Sequence, residues 1–494
     1  MYPKSIQRAL ISVYHKDGLH QIVSALQNLH VEIFSTGGTF DFIAGMGVAV
    51  QPVEKLTDYP AILGGRVKTL HPKIFGGILA RREHPQDLSE LSAYAIPPFD
   101  LVVVDLYPFE ETVASGATRQ EIIEKIDIGG ISLIRAAAKN HREVLVISRQ
   151  QQYPALLHIL TAQNGTTSIE ERERFATEAF QTSSGYDTAI YRYFNGVRTL
   201  RYGENPHQSG RYYGAPDSLP KQLHGKELSY NNLLDLEAAV ELISDFDDPT
   251  IAIIKHNNAC GCASDASLPT AWERALAADP LSAFGGVIIA NRPVEAEVAQ
   301  AINTLFFEIL AAPAYTKEAL DILTVKKNRI ILELPPVPLP KEKTRTLLNG
   351  WLVQDRDDAV EQACNLSPCT LATPLPAQIE DLVFANKLVK HSKSNAIVLA
   401  KNKMLLASGV GQTSRIDALC HAIEKAQRFG LSLEGAVMAS DAFFPFPDCV
   451  ETAHKAGITA IVQPGGSVRD NDSIDYCNAH HVAMVCTGIR HFKH

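Results

Sequence analysis

The stretch FDLVVVDLYPF at residues 99–109 decides the fold class of this chain. Its centre is a nearly continuous apolar run rich in valine, and a similar run, VLVIS, follows at residues 144–148. Strands that are apolar on both faces are typical of a parallel sheet covered by helices, whereas half-exposed strands alternate apolar and polar residues. We therefore predict an α/β fold around these two strands.

The segments around these strands alternate between strand-like and helix-like patterns. In chain order they are RALISVY (8–14), GLHQIVSALQNL (18–29), VEIFST (31–36), TFDFIAGMG (39–47), FDLVVVDLYPF, QEIIEKI (120–126) and EVLVISR (143–149). This order predicts a Rossmann-like layered domain in the first 150 residues. The polar, helical pattern of residues 150–195 predicts helices that bridge two domains.

A second α/β region begins near Arg201. A strand, a glycine-bearing turn and a helix recur twice in it, at 251–290 and at 396–463, and this suggests an internal duplication. Between the two copies, the Pro-rich run LELPPVPLPKEK (332–343) is typical of an extended connector or an edge strand.

Length and composition exclude several classes of protein. A chain of 494 residues is too long to fold around a single hydrophobic core. Its composition, with 46% hydrophobic and 20% charged residues, is ordinary for a globular protein. A net charge of −9 without a long basic block argues against a nucleic-acid-binding surface. No apolar run approaches the roughly 18–20 residues of a membrane span, and the N-terminus reads as a strand rather than a signal peptide, so we predict a cytoplasmic protein.

The eight cysteines are irregularly spaced and predict no disulfide framework. Cys420 and Cys486 lie in apolar runs and are predicted to be buried thiols.

Two glycine-rich segments are candidates for binding a phosphate. STGGT (35–39) lies between a strand and a helix, where backbone N–H groups suit an anion and Thr39 adds a hydroxyl, although a plain strand-to-helix turn has the same residues. GGRVKTLHP (64–72) carries Arg66 and Lys68, which suit an anion through charge-assisted hydrogen bonds; the alternative is a solvated basic loop.

A third segment, IDIGG (126–130), is followed by a helix that ends in RAAAKNH (135–141). Asp127 is a candidate for orienting an amide. Lys139 is a candidate proton donor, and the alternative is a lysine at a helix end.

In the second region, Lys255 and His256 directly follow a buried strand, at the kind of strand end where ligands collect in α/β sheets. A histidine transfers protons near neutral pH, and an adjacent lysine favours its neutral form and can stabilise an oxyanion. The alternative is a strand-end histidine that bonds only to backbone.

A catalytic metal has little support in the sequence. His256, Cys260 and Cys262 form one possible zinc set and Cys364 with Cys369 another, but neither has C-x-x-C spacing and the zinc-deaminase pattern is absent. A Walker loop and a G-x-G-x-x-G motif after the first strand are also absent, so ATP and NAD are not predicted.

Motifs along nearly the whole chain carry a family resemblance. They are STGGT, GGRVKTLHP, DLYPF (105–109), IDIGG, RAAAKNH, RYGENPHQ (201–208), KHNNACG (255–261), SAFGG (282–286), LVQDRD (352–357), KSNAIVLAKN (393–402), GQTSRIDA (411–418), SDAFFPFPD (440–448), QPGGSVRD (463–470) and GIRHFKH (488–494). In this order they resemble the bifunctional purine enzymes that join phosphoribosylaminoimidazolecarboxamide (AICAR) formyltransferase to IMP cyclohydrolase.

For residues 1–197 the resemblance implies a methylglyoxal-synthase-like domain with a helical linker, which closes the inosine ring. Its nucleotide-binding positions would be Lys16, Thr36, Gly37, Gly38, Thr39, Arg66, Lys68 and Thr69. Tyr107, Asp127 and Lys139 would serve the ring closure, with Lys139 transferring the proton.

For residues 198–494 the resemblance implies two cytidine-deaminase-like subdomains without zinc. Lys255 and His256 would transfer a formyl group from 10-formyltetrahydrofolate, with no metal required, at a site formed across a homodimer. The substrate nucleotide would contact Arg201, Tyr202, Gly285, Asn395, Arg415 and Arg490, and the folate would contact Phe443 and Asp448.

The chain departs from the family pattern at three places. Tyr14-His15-Lys16 stands where the family more often has Ser-Asp-Lys, and Asp105 stands where asparagine is common, which adds a negative charge near the cyclohydrolase site. Ala259 replaces the usual proline after Asn258, and we expect a looser turn there.

Two other functions compete with this interpretation. Methylglyoxal-synthase-like domains also serve as effector-binding units, so the first domain could be a nucleotide sensor, although a sensor would not need Asp127 and Lys139. A zinc deaminase-like enzyme would be indicated by stoichiometric metal in the purified protein.

Overall fold

The computed structural model describes residues 3–214, 218–334, 339–348 and 350–494. The chain divides into two compact units, Met1–Gly196 and Val197–His494. The boundary lies one residue before the predicted domain boundary.

The first unit alternates strands and helices as predicted. In chain order its elements are β1 (Lys4–Ser5), β2 (Arg8–Ser12), α1 (Leu19–Asn28), β3 (Glu32–Ser35), α2 (Gly37–Gly45), β4 (Gln51–Pro52), α3 (Val53–Thr57), α4 (Pro72–Leu79), α5 (Pro85–Ala93), β5 (Leu101–Val104), α6 (Phe109–Ala114), α7 (Arg119–Glu124), α8 (Gly129–Lys139), β6 (Leu145–Ile147), α9 (Tyr153–Ala162), β7 (Thr166–Thr167) and α10 (Ile169–Asn195).

A five-stranded parallel sheet, counted over the described residues, forms the centre of this unit in the order β4-β3-β2-β5-β6. Leu101 and Val103 of β5 pack into a core cluster with α1 and α9, whereas Val102 and Val104 pack into a second cluster with α4 and α8. The sheet is therefore covered on both faces, which explains why the β5 sequence is apolar without alternation and confirms the predicted α/β layers.

The helices of residues 150–195 were predicted to bridge two domains, and the structure describes their packing on the first unit. Phe175 and Ala179 of α10 are buried in the core clusters of the first unit. The buried Arg172 donates to the carbonyls of His141 and Thr167. These apolar and polar contacts make α10 a part of the first unit.

The second unit contains the predicted duplication. In chain order its elements are β8 (Val197–Leu200), β9 (Gly210–Tyr213), β10 (Lys221–His224), α11 (Tyr230–Ile243), β11 (Thr250–Lys255), β12 (Asn258–Ser264), α12 (Leu268–Ala278), β13 (Val287–Ala290), α13 (Ala296–Asn303), β14 (Ile309–Ala312), α14 (Lys317–Leu323), β15 (Ile330–Glu333), β16 (Glu342–Leu347), β17 (Gly350–Asp355), β18 (Ser367–Pro368), α15 (Pro376–Lys390), β19 (Ile397–Lys401), β20 (Met404–Gly409), α16 (Arg415–Arg428), β21 (Val437–Ser440), α17 (Asp448–Lys455), β22 (Ala460–Gln463), α18 (Asp470–Ala479) and β23 (Ala483–Cys486).

Within the described part of the chain, twelve of these strands form one sheet in the order β10-β15-β14-β13-β11-β12-β20-β19-β21-β22-β23-β18. The β11–β12 hairpin corresponds to β19–β20, and β13, β14 and β15 correspond to β21, β22 and β23 with the same parallel and antiparallel pairings. The two halves meet where β12 pairs with β20, at Ala263 and Met404. This repeated order confirms the duplication.

The Pro-rich run at 332–343 connects the two halves. Its residues 335–338 lie outside the described residues, so the predicted connector is described only at its ends, in β15 and β16. After it, β16 and β17 form a separate two-stranded hairpin.

One prediction about the cysteines is wrong. Cys486 was predicted to be a buried thiol, but the structure joins it to Cys369 in a disulfide. The pairing of β18 with β23 brings the two Cα atoms to 6.2 Å. Cys420 is a half-buried free thiol in α16.

Candidate active sites

The first unit contains a cavity of about 790 Å³ at the carboxyl ends of its parallel strands. The residues predicted from the sequence that line it are Lys16, Thr36, Gly38, Thr39, Arg66, Lys68, Thr69, Tyr107 and Asp127. Gly37 adjoins it, because a Cβ at this position would lie 3.3 Å from the Lys68 ammonium nitrogen. The fold therefore brings together residues that are up to 111 positions apart in the sequence.

One end of this cavity suits an anion. Helix α2 begins at Gly37, and its first backbone N–H groups lie beside Lys68. The partial positive charge of a helix N-terminus and a lysine ammonium both favour a phosphate.

Several predicted phosphate contacts are occupied within the protein. The Thr39 hydroxyl is buried and donates to the Val13 carbonyl at 2.9 Å, and Thr36 donates to Glu54 at 3.2 Å. Lys16 donates to the carbonyl of Val13 and to Thr39, and burial lowers the pKa of Lys16. Thr39 and Lys16 hold the loop after β2, and Thr36 bonds to Glu54 of α3, so all three side chains already have partners within the protein.

Asp127 also lines the cavity, just before the start of α8. Its Oδ1 accepts the Gly130 N–H at 2.6 Å, and a Cβ at residue 130 would lie 2.8 Å from the carboxylate, which explains the glycine. Burial raises the pKa of Asp127, although hydrogen bonds from backbone N–H groups, including that of Gly130, oppose this shift. A carboxylate with a raised pKa is a better proton acceptor than an ordinary aspartate.

Tyr107 faces this carboxylate within an aromatic wall. Its ring lies 5.6 Å from the Tyr14 ring in an edge-to-face arrangement, and the Lys125 ammonium lies 5.1 Å from the Tyr14 ring centroid and 5.6 Å from that of Tyr107. Burial and the charge of Asp127 raise the pKa of Tyr107, so its phenol stays protonated and can donate. Lys125 was not predicted from the sequence, because no motif marks an isolated lysine before IDIGG.

Two departures from the family pattern meet in this wall. Asp105 accepts hydrogen bonds from the backbone N–H groups of Tyr14 and His15, and from His15 Nδ1 at 2.9 Å. The carboxylate of Asp105 is therefore satisfied by hydrogen bonds from the Tyr14–His15 segment, which hold Tyr14 beside Tyr107.

Lys139 is not among the residues that line this cavity, and its role in proton transfer stays a prediction. Asp127 precedes the first residue of α8, whereas Lys139 is the last and is exposed. At 1.5 Å per residue the two ends of this helix are about 15 Å apart.

In the second unit, strand direction gathers most of the predicted formyltransferase residues at one edge of the large sheet. Lys255 ends β11, and Phe443 follows β21, which runs in the same direction. Gly285 and Asn395 precede β13 and β19, which run in the opposite direction. All four therefore lie at the same edge.

His256 and Asn257 form the two-residue turn between β11 and β12. Both have positive φ, 51° and 63°, as in the type I′ turns of tight hairpins. Lys255 Nζ donates to the Phe284 carbonyl at 2.8 Å, and a Cβ at Gly285 would lie 3.3 Å from this nitrogen. Gly285 therefore leaves room for the ammonium group, and the His256 side chain is exposed.

The expected loosening at Ala259 is not observed. Ala259 lies in β12 and pairs with Ile254. Asn258 holds the turn by donating to the His256 carbonyl at 2.9 Å and by accepting the Lys393 N–H at 3.0 Å. These bonds fix the turn and connect it to the segment that carries Asn395.

Arg415 begins α16 and is buried. Its guanidinium donates to Asn395 Oδ1 at 3.0 Å, to Asp441 Oδ1 at 2.8 Å and to the Phe443 carbonyl at 3.1 Å. Arg415 therefore braces three segments of the sheet edge. Asp448 begins α17 on the same side, where its Oδ1 accepts the Cys449 N–H at 2.8 Å.

Arg201 and Tyr202 lie in the loop after β8, with the guanidinium carbon 5.5 Å from the tyrosine ring centroid. The next residues tie this loop to α11, because Asn231 donates to the Glu204 carbonyl at 3.1 Å.

The exposed Arg490 is placed by the buried residue that follows it. His491 donates its backbone N–H to the Asp441 carbonyl at 3.0 Å, and its ring lies between Asp357 and Glu361 at 2.6 and 3.0 Å. Burial alone would lower the pKa of His491, but hydrogen bonds and charges of the two carboxylates raise the pKa to about 9. This cluster was not predicted from the sequence because His491 lies 130 or more positions from both carboxylates.

This cluster predicts a stability that depends on pH. Because the pKa of His491 is raised in the folded state, its stabilisation is complete below the ordinary pKa of 6.5 and is lost as the pH rises through about 9. One pKa unit corresponds to about 1.4 kcal/mol, and Asp357 is partly solvated, so we expect a loss of about 2 kcal/mol across this range. Thermal unfolding of the full chain at pH 6 and 9.5 measures it. The His491→Gln variant should lose this pH dependence; an unchanged dependence would contradict the assignment.

Among the described residues, no group of three or more His, Cys, Asp and Glu side chains is arranged to hold a metal ion. In the same part of the chain, no helix is both long enough and apolar enough to span a membrane.

Comparisons with known proteins identify the family of this chain. Residues 18–132 match the MGS-like domain model, and residues 137–425 match the model of the AICARFT/IMPCHase bienzyme. The chain belongs to the AICARFT/IMPCHase bienzyme family. It is 59% identical to the bifunctional purine biosynthesis protein PurH of Bacteroides thetaiotaomicron, over 99% of both chains. It is 46% identical to PurH of Oceanobacillus iheyensis and 44% to PurH of Persephonella marina, over 99% of this chain and 100% of each relative.

Members of the AICARFT/IMPCHase bienzyme family catalyse the last two steps of IMP synthesis, and this chain is both an AICAR formyltransferase and an IMP cyclohydrolase. The MGS-like match confirms the predicted class of the first domain. The likeness of the second unit to cytidine deaminases stays a prediction that its duplicated sheet is compatible with.

Proposed function

We propose that each unit carries one of the two reactions, formyl transfer at the sheet edge of Lys255 and His256 and ring closure in the cavity of Asp127 and Tyr107. The observation that carries this division is that each set of residues is gathered within one compact unit. The test of this proposal is an assay of the full chain with AICAR and 10-formyltetrahydrofolate. The formyl nucleotide and IMP are followed separately. Absence of IMP would overturn the proposal.

Formyl transfer requires one proton to leave the substrate and one to reach the folate. The 5-amino group of AICAR attacks the formyl carbon of 10-formyltetrahydrofolate, a C–N bond forms, and the bond from the formyl carbon to folate N10 breaks. His256 would take the proton from the amine, and N10 gains one as it leaves. Lys255, held at the Phe284 carbonyl, would stabilise the tetrahedral oxyanion.

The folate is the co-substrate in this proposal, and no step in it requires a metal. Phe443, Phe446 and Asp448 support its placement, since two partly exposed aromatic rings precede an acidic helix start at the same sheet edge. An exposed aromatic face suits a pteridine ring, and a carboxylate can accept its N–H groups. Arg201, Tyr202, Asn395, Arg415 and Arg490 would hold the nucleotide, directly or by bracing the segments that do.

Ring closure is a dehydration within one molecule. The carboxamide nitrogen attacks the formyl carbon; this nitrogen and the formamido nitrogen each lose one proton, and both protons leave with the formyl oxygen as water. Asp127, with its raised pKa, would accept a proton from nitrogen, and Tyr107 would donate to the departing oxygen. Because the attack is intramolecular, positioning by Lys68, Arg66 and Thr69 supplies much of the remaining rate.

We propose that the enzyme is a cytoplasmic homodimer and that the formyltransferase site is completed across the interface. His256 is exposed, and Phe284 is 60% exposed, so a single chain leaves this site open to water. The β16–β17 hairpin is also exposed, with Leu348 at 97%, Trp351 at 71% and Leu352 at 56%. A lone two-stranded hairpin is at best marginally stable in water, and an exposed apolar surface of this kind indicates a covering partner. We propose that this partner is a second copy of the chain.

Placing charge on this hairpin should separate the copies. We expect the double variant Trp351→Glu, Leu352→Glu to sediment as a monomer and to lose at least about tenfold in formyl transfer, since a barrier change of 1.4 kcal/mol already has this effect. Ring closure should persist, because its cavity lies within the first unit. Analytical ultracentrifugation and the two assays measure this, with Val325→Glu, an exposed apolar residue elsewhere, as the matched control. A variant that stays dimeric would contradict the assigned interface.

A further inference from the structure

Asp235 lies beside the turn that carries His256 and was not recognised from the sequence. It is the sixth residue of α11, and its Oδ1 accepts the backbone N–H of Asn257 at 2.7 Å. Among the described residues, its second carboxylate oxygen accepts no hydrogen bond. Burial raises the pKa of Asp235, although the Asn257 N–H and the neighbouring His256 and Lys255 oppose this shift.

The internal duplication supplies a comparison within the same chain. Asp381 is the sixth residue of α15, which precedes the second hairpin as α11 precedes the first. Its two oxygens accept the backbone N–H groups of Asn402 at 2.8 Å and Lys403 at 2.6 Å. These residues form the equivalent two-residue turn, with φ values of 53° and 54°.

The two aspartates are therefore used differently. Both carboxylate oxygens of Asp381 accept hydrogen bonds from its turn. Lys403 in that turn also forms ion pairs with Asp248 at 3.1 Å and Glu380 at 3.0 Å, so the contacts at this turn are structural. Only one carboxylate oxygen of Asp235 accepts a hydrogen bond from its turn, and this turn carries the exposed imidazole of His256. A half-buried carboxylate next to a histidine stabilises the imidazolium form.

We propose that Asp235 is a positioning residue for formyl transfer, which holds the His256 turn through Asn257 and stabilises the imidazolium that forms when His256 takes the proton from the attacking amine. This inference rests on the proposed role of His256. Lys255 and His256 are the titratable groups that act on Asp235, and the Lys255 ammonium already donates to the Phe284 carbonyl. The negative charge is therefore available to the imidazole.

The test is the pH profile of formyl transfer in the Asp235→Asn variant of the full chain. Asparagine keeps an acceptor for the Asn257 N–H but removes the charge. We expect kcat to fall about tenfold and the acidic limb of the profile to move about one unit towards lower pH, because the imidazolium that forms during the transfer loses its neighbouring carboxylate. The KM for AICAR should change less than about twofold, and ring closure of added formyl nucleotide should be unchanged.

The matched control is Asp381→Asn, which removes the same charge from the equivalent position and should leave the pH profile unmoved. Asp235→Asn behaving like this control, or losing activity with an unmoved acidic limb, would overturn the inference. A parallel His256→Ala variant separates the two levels. If that variant still transfers formyl groups, the role of His256 fails; if it does not, an unmoved Asp235→Asn profile refutes only the role of Asp235.

Discussion

Replacing His256 with alanine is expected to lower formyl transfer by about 10²–10⁴-fold, the usual contribution of a general base. The variant should still close the ring of added formyl nucleotide at the normal rate, because that cavity lies in the first unit. The backbone of the turn should persist, since it is held by Asp235, Asn258 and Lys393 rather than by the imidazole. Separate assays of the two half-reactions measure the effect.

The internal duplication again supplies the control. Asn402 occupies the first position of the equivalent turn at the opposite edge of the sheet, and Asn402→Ala should change neither reaction by more than about threefold, less than 1 kcal/mol in the barrier. Comparable losses in His256→Ala and Asn402→Ala would mean that both turns are merely structural. Loss of both reactions in His256→Ala would contradict the division between the two units.

Replacing Asp127 with asparagine is expected to lower ring closure by about 10²-fold or more and to leave formyl transfer unchanged. Asparagine keeps an acceptor for the Gly130 N–H, so the start of α8 should remain folded. It cannot take a proton from nitrogen, and the variant removes the carboxylate whose charge acts on Tyr107. The formation of IMP from purified formyl nucleotide measures the loss.

Lys139 is the matched control for this prediction, because it lies at the other end of the same helix and is exposed. Lys139→Ala should retain ring closure within about threefold. A large loss in Lys139→Ala would restore the role that the family resemblance implied and contradict its placement here. Normal ring closure in Asp127→Asn would move the proton transfer to another residue of the cavity.

Local patterns predicted the elements that carry both sites. The apolar run of β5 indicated a strand buried on both faces, and the structure places its alternate residues in two core clusters. The position of Lys255 and His256 after a buried strand predicted a ligand-facing sheet edge, and the directions of β11, β13, β19 and β21 gather the other predicted residues at that edge. The strands and their ends were predicted correctly because periodicity and strand ends are local properties of the chain.

Contacts between distant residues were not predictable in this way. Nothing near Asp105 in the sequence indicates that its carboxylate accepts a hydrogen bond from His15, 90 positions earlier. Cys369 and Cys486 are separated by 117 positions and become neighbours only through the pairing of β18 with β23. The placement of Lys139 was unpredictable for a related reason, since a motif match does not measure the helix of about 15 Å that separates this residue from Asp127.

The amino-acid sequence by itself determined the order of strands and helices, the duplicated second region, the family and the residue types available for proton transfer, because these depend on composition, periodicity and ordered motifs. Only the tertiary structure decided which side chains meet. It assigned Lys125 and Tyr14 to the cavity, excluded Lys139 from it, and placed Asp235 beside His256 while Asp381 holds the equivalent turn without a histidine. The physical reason is that pKa values, ion pairs and cavities depend on distances of a few ångströms, and these are set by the packing of elements rather than by their spacing along the chain.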